Sequence, residues 1–303
     1  MLSATTRRMA KKLGLISSSS ANLTRSSGEV QSIILKIDAI EKKLCRIFAF
    51  LKDNEGYNRK VQFASHQEWL LPYQGDRYKL LKSLLQHIWN TQSQTKMDVV
   101  FETWNRLHEN RVLFGAIQTT ADLAAAVSNL VPPDARSKGT ITDTQPLDRI
   151  WRDLKATPGF GDKTAALFVK SIVDTHTHPE YTNLRFLTDF SIAEDDLVRI
   201  PVDKVIIAVF ERVTGKSLNF VTINDLIFDE FGYKAYHAST WDELWFWGFI
   251  TQKTDENGRH VTLNEPKFWS ILGAPWQDWS TIEPLAKQFM QLLESSPGEI
   301  CTP

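Results

Sequence analysis

The chain has 303 residues, of which 42% are apolar and 23% charged, and a formal net charge of -1. This fits one large or two small globular domains, and no apolar run reaches the roughly 18 residues that cross a bilayer. Two cysteines, Cys45 and Cys301, are too few for a disulfide framework, a four-cysteine metal site or an iron-sulfur cluster, so a reduced, cytoplasmic setting is expected. The near-zero charge argues against bulk electrostatic coating of nucleic acid, but leaves room for a local phosphate site.

Residues 1–28 contain Arg7, Arg8, Lys11, Lys12 and Arg25, no acidic residue, and serines at 17–20. They read as a disordered basic arm. From Val30 onward, Ile33, Ile34, Ile37, Ile40, Leu44, Ile47, Phe48 and Leu51 have the spacing of one buried helical face. Residues 29–77 are therefore read as an amphipathic helix and a polar loop. Helical patterning resumes from about Tyr78 to Leu107, with a polar break between Asn90 and Thr95. A helix from Asp122 stops before Pro132 and Pro133, where the backbone donor is lost, and another spans about Pro146 to Lys155. Phe186, Thr188, Phe190, Ile192 and Val198 suggest a short hairpin or irregular insert over 180–200. A helix follows Pro201. Ser239 is placed to cap a helix reaching Phe249, and Glu256-Asn257-Gly258 forms a hairpin turn between Ile250 to Thr254 and His260 to Leu263. The chain closes with a helix near Thr281 to Leu293, so the fold class is mainly α with a small β element. Of ten tryptophans, Trp241, Trp245, Trp247, Trp269, Trp276 and Trp279 fall in this last region. Residues 239–303 hold nine acidic and four basic residues, which disfavours phosphate tracking by that lobe.

The most informative segment is Ala156-Thr157-Pro158-Gly159-Phe160-Gly161-Asp162-Lys163-Thr164-Ala165-Ala166, between two helices. Two glycines two positions apart make a tight turn with unshielded amides, and the next helix begins there with its positive dipole end, a fitting place for phosphate. A plain glycine-rich connection is the alternative. The segment resembles the helix-hairpin-helix pattern Pro-Gly-x-Gly-x-Lys-Thr-Ala, which binds the DNA backbone without reading sequence. Leu80 to Thr95 is similar to the opening helix and glutamine-containing loop of the helix-hairpin-helix DNA glycosylases, and Arg199-Ile200-Pro201-Val202-Asp203-Lys204-Val205 to their aspartate-bearing helix start. The connection from Lys163 to Asp203 is 40 residues, longer than in endonuclease III-like members and closer to archaeal 8-oxoguanine glycosylases.

The resemblance implies a two-lobed helical fold with a small β-hairpin or insert. Residues 78–215 form the glycosylase core, 29–77 pack on the C-terminal lobe, and 216–303 complete a base pocket. It implies Lys163 and Asp203 as catalytic residues. Asp203 would stabilise positive charge at the sugar, and Lys163 would form a Schiff base that permits strand cleavage. From the residues alone, Lys163 can instead contact phosphate and Asp203 can be a helix cap. Gly159, Phe160, Gly161 and Thr164 would meet DNA, and Gln92 or Gln94 would fill the gap in the stack. Aligned on Gly248, Trp245 becomes the stacking partner of a flipped base, with Trp241 on the same face and Asp242 or Glu243 supplying hydrogen bonds.

Asp174, in Val173-Asp174-Thr175-His176-Thr177-His178, is a rival carboxylate. Eleven residues after Lys163 leave only about three helical turns and no return loop. His176 and His178 lack the further ligands of a metal hydrolase. The expected partner is DNA containing a modified base, bound by a monomer without membrane association. No cofactor is expected, though the hairpin has room for a structural cation. The function expected is base excision for repair. Excision of a hypermodified phage base and non-enzymatic DNA binding through the hairpin are the alternatives.

Overall fold

The computed structural model describes residues 3–16, 26–91, 97–135, 144–256, 258–271 and 278–295. It is mainly helical, with one two-stranded antiparallel sheet among the described residues. No described helix is long and apolar enough to cross a membrane. The chain divides into two compact units, one comprising Met1–Asn58, Val202–Tyr233 and Thr240–Pro303, the other Arg59–Pro201 and Lys234–Ser239.

The first unit begins with α1 (Ala4–Lys12) and α2 (Ser27–Asp53). Helix α1 lies inside the segment expected to be disordered and corrects that expectation. Met9, Ala10, Leu13 and Ile16 are buried, and Arg8 and Lys12 pair with Glu230 at 2.6 and 3.0 Å. Lys12 also meets Asp225 at 3.1 Å. The acidic partners lie more than 200 residues away in sequence, so the arm's own composition gives no sign of them. Helix α2 starts at a reciprocal cap, Ser26 with Glu29, and buries Ile33, Ile37, Ile40, Leu44, Ile47 and Leu51 on one side.

The second unit holds most of α3 (Tyr57–Leu70), then α4 (Arg77–Asn90), α5 (Met97–Glu109), α6 (Arg111–Ala116), α7 (Thr120–Ser128), α8 (Pro146–Lys155) and α9 (Asp162–Thr177). Helix α3 occupies part of the stretch read as a polar loop. Residues 179–184 form a short 3-10 helix, and the chain then runs irregularly, with one isolated parallel bridge from Thr119 to Asp189. The insert is thus irregular rather than a hairpin. Buried His176 holds it, its Nδ1–H donating to Ile172 O at 2.9 Å and its Nε2 accepting from Phe186 N and Leu187 N at 3.3 and 3.0 Å. Asp196 accepts the first free amides of α8, from Leu147 and Asp148, at 3.0 and 2.9 Å.

Returning to the first unit, the chain forms α10 (Lys204–Thr214) and α11 (Phe220–Asp225), the latter continued by a π-helical turn. Then come α12 (Ala238–Ile250), β1 (Gln252–Asp255), β2 (Gly258–Val261), α13 (Glu265–Trp269) and α14 (Trp279–Glu294). The strands pair Gln252 with Val261 through Asp255 with Gly258, and Gly258 takes the left-handed turn conformation at φ +110°. Helix α2 packs on α10 and α14. Lys43, buried on α2, donates to the last carbonyls beyond and within α14, Leu293 O at 2.6 Å and Ser295 O at 3.3 Å. It thereby satisfies carbonyls that the helix end leaves without partners.

Two buried histidines of the second unit set an acid limit on stability. Burial, with nearby His87 and Lys170, pushes His66 from 6.5 down to about 3, and burial takes His176 from 6.5 down to about 4. Below pH 6.5 the unfolded chain therefore binds protons that the folded chain refuses, so stability falls with falling pH. Lowering the pH from about 7 to about 5.5 is expected to remove about 2–3 kcal/mol of unfolding free energy, read from urea midpoints. A constant midpoint over that interval contradicts neutral burial of both rings.

Candidate functional site

In the second unit, α8 and α9 are joined by a turn whose geometry follows from its glycines. Thr157 N bonds Leu154 O at 2.9 Å, and Phe160 N bonds Thr157 O at 3.1 Å. Gly159 sits at φ +88°, and a Cβ there would come within 2.9 Å of Val100 Cγ2, so a side chain is excluded by both backbone and packing. Gly161 is the extended residue that opens α9, and its amide bonds Thr164 Oγ1 at 2.9 Å. Thr164, expected to meet DNA, is buried, and its hydroxyl is occupied by Gly161 on both sides, donating to the carbonyl at 3.2 Å. Half-buried Phe160 rests on buried Trp89, ring centres 4.9 Å apart, and so braces the turn from within.

Lys163 lies in the first turn of α9, half-buried, and its ammonium makes no hydrogen bond or ion pair with a described residue. Asp162 beside it is paired with Lys155 at 2.6 Å. Gln92 and Gln94 lie outside the described residues.

Asp174 is buried within the same unit, its side chain 0% exposed, with Lys170 2% exposed and 2.7 Å away. Ser239 donates to Asp174 Oδ1 at 2.6 Å, and Lys170 donates to Gln62. Burial alone raises the pKa of Asp174, but the Lys170 charge and the hydrogen bonds from His178, Lys170 and Ser239 outweigh it and hold the carboxyl below the usual range. Ser239 is therefore not the cap of α12, which starts one residue earlier at Ala238 and follows directly from a 3-10 turn.

In the first unit, Asp203 takes an extended backbone after Pro201 and caps α10, its Oδ1 accepting from Val205 N and Ile206 N at 2.8 and 3.1 Å. Its Oδ2 accepts no hydrogen bond among the described residues. Helix α12 approaches this same first turn closely because residue 248 is glycine: a Cβ there would lie 2.8 Å from Val205 Cγ1 and 3.1 Å from Val209 Cγ2. Gln252 locks the contact by donating to Val205 O at 3.2 Å.

From that contact α12 presents Trp245 and Phe249, one turn apart and both half-buried, with rings stacked at 4.9 Å and 11°. Lys267 Nζ stands 4.8 Å over Phe249 and donates to Gln252 O at 2.6 Å. Arg259 donates to Gln252 Oε1 at 3.0 Å. Burial and Arg259 lower the Lys267 pKa while Asp203 raises it, so the two groups sense each other's charge.

The other expected base-pocket residues face elsewhere. Trp241 is fully buried, packed on Phe48 at 5.3 Å and Tyr233 at 5.1 Å, and belongs to the core. Asp242 is buried and its Oδ2 accepts from Asn58 Nδ2 at 2.7 Å. Glu243 accepts from Gly56 N and Asn58 N at 2.9 and 2.8 Å, tying down the start of α3. The three are corrected to structural roles, because α12 is apolar nearly all round and buries every face but one.

The structure thus groups Asp203 with Trp245, Phe249 and Lys267 in one unit, and Lys163 with the hairpin in the other. Lys267 and Arg259 carried no motif and were not foreseen. Among the described residues, no three His, Cys, Asp or Glu cluster as metal ligands. No protein-family model, curated protein or solved structure matches the chain.

Proposed function

We propose that the protein is a DNA glycosylase of the helix-hairpin-helix superfamily that excises a damaged or modified base, in the cytoplasm and in the service of repair. The observation that carries the reading is Asp203, a helix cap whose Oδ2 accepts no hydrogen bond among the described residues, at the helix start against which α12, the helix of the stacked Trp245–Phe249 pair, packs through Gly248. Breaking an N-glycosidic bond gives the sugar oxocarbenium character, and the target base must first leave the duplex. Trp245 and Phe249 offer a surface on which an extruded base can stack, and Asp203 Oδ2 offers negative charge for the developing cation. The start of α9 beyond the Gly159–Gly161 turn, with the first-turn amides of Asp162 and Lys163 ahead of the first helical bond to Gly161 O, offers a phosphate a contact that positions without reading sequence. The lyase step that the resemblance implies rests on the unpaired amine of Lys163.

The test is a panel of duplexes, each with one modified base: oxidised purines, hypoxanthine, uracil and a bulky hypermodified pyrimidine. Alkali-labile abasic sites are expected from at least one duplex. Borohydride is expected to trap a covalent complex that Lys163→Gln abolishes. Salt-sensitive binding with no abasic product from any duplex would leave a DNA-binding module and reject the enzyme.

A further inference from the structure

We infer that helix α1 is a second contact surface for DNA, holding the phosphate backbone through Arg7 and Lys11. The inference rests on the glycosylase reading for its DNA partner, but not on base excision. Arg7, Arg8, Lys11 and Lys12, with Ala4, line an open depression of about 520 Å³. The helix is fastened to the protein by its other side, where Met9, Ala10, Leu13 and Ile16 are buried.

The four cations form two pairs, each with its members one helical turn apart, and the pairs differ in their partners. Arg8 Nε and Nη2 donate to the two carboxylate oxygens of Glu230 at 2.6 and 3.0 Å, and Lys12 meets Glu230 and Asp225 at 3.0 and 3.1 Å. Both oxygens of Glu230 are thereby occupied. Arg7 and Lys11 are exposed, and neither side chain makes a hydrogen bond or ion pair with a described residue. Like charges at this spacing repel, so an external anion relieves a strain that the described part of the protein leaves standing. Lys216 adds charge to the same helix end, its Nζ only 1.8 Å from where a Cβ on Gly14 would stand. Asp229 is a further carboxylate whose charge Arg8 senses. Five cations thus face three carboxylates, and the corner stays positive.

Phosphate suits this corner. A guanidinium has five N–H donors in a rigid fork, and Arg8 spends two on Glu230, which holds the others in place at the edge of the depression. An open depression suits an extended polyanion better than an enclosed small molecule. A lipid surface fits poorly, because a helix that lies in a bilayer needs its apolar side outward, and α1 has turned that side into the protein. The overall charge of -1 is no obstacle, since counterion release depends on the cations at the contact.

The experiment measures binding of the full chain to an unmodified duplex between about 50 and 200 mM salt. Arg7→Gln with Lys11→Gln is expected to make the slope of log K against log salt shallower by about two, and to weaken binding at least about ten-fold at roughly 0.15 M salt. Arg7→Lys with Lys11→Arg is expected to keep the slope, because the charge remains. Lys42→Gln with Lys287→Gln removes the same charge from exposed positions on α2 and α14, and is also expected to keep it. Thermal melting checks that each variant is folded. An unchanged slope in the first variant, or an equal fall in the Lys42 and Lys287 control, overturns the inference and leaves the glycosylase reading intact. Binding to vesicles of anionic phospholipid that the first variant abolishes, with its DNA slope unmoved, does the same. A slope that falls as expected in a chain that excises no base supports the inference and rejects the reading. A wild type that binds no DNA overturns both.

Discussion

Asp203→Asn is expected to slow base excision by about 10²–10³-fold, the usual loss when a group aimed at developing charge is removed, while the protein stays folded. The two jobs of this residue separate cleanly in that variant. Asparagine caps helices about as well as aspartate, and its oxygen can accept from Val205 N and Ile206 N as Asp203 Oδ1 does. What disappears is the negative charge. Asp203→Ala removes cap and charge together, and is expected to cost about 1 kcal/mol of stability in addition to activity. Single-turnover kinetics beside thermal melting distinguish the effects. Wild-type excision by a normally folded Asn variant would reduce Asp203 to a cap.

Asp174→Ala is expected to destabilise the fold by about 3–5 kcal/mol, since it strands a buried charge. Lys170 is 2% exposed and Asp174 0%, so solvent screens neither, and the surviving ammonium would lose its carboxylate. Changing both residues to apolar ones of similar volume, Lys170→Met with Asp174→Leu, is expected to recover most of that loss, because the desolvation cost of the pair disappears with it. Urea unfolding of the single and double variants decides the matter. A single-variant loss below about 1 kcal/mol, or a double variant no better than the single, would show that the pair is not electrostatically isolated.

The sequence reading succeeded where local rules determine local structure. Pro146 at a helix start, the Glu256–Gly258 turn and the apolar stripe of α2 each announce their elements within a few residues. It failed where the deciding partner is remote or where burial is polar. Helix α3 turns Asn58 and His66 inward, so its buried side lacks the apolar period that marks a helix. Helix α1 is held by Asp225 and Glu230, which nothing in a basic, serine-rich segment foretells. In α12, Trp241 and Trp245 are one turn apart and look equivalent, yet Trp241 meets Phe48 and Tyr233 while Trp245 meets Phe249. Periodicity identifies a face but does not say what covers it. The candidate site was half legible for the same reason: Asp203 belongs to a recognisable turn, whereas Lys267 reaches Phe249 only through an anchor on Gln252.

The division of the chain also dictates an order of assembly. The second unit is built almost entirely from one uninterrupted stretch, Arg59–Pro201, and can close once that stretch leaves the ribosome. The first unit is stitched from three separated segments, and α2 must wait for α14, whose carbonyls Lys43 will cap, until some 225 further residues have been made. At ordinary synthesis rates that is roughly ten to fifty seconds, during which the row from Ile33 to Leu51 has α1 and later α10 against it but still lacks α14. The newborn chain thus carries a long amphipathic helix with part of its apolar face still uncovered ahead of a finished unit.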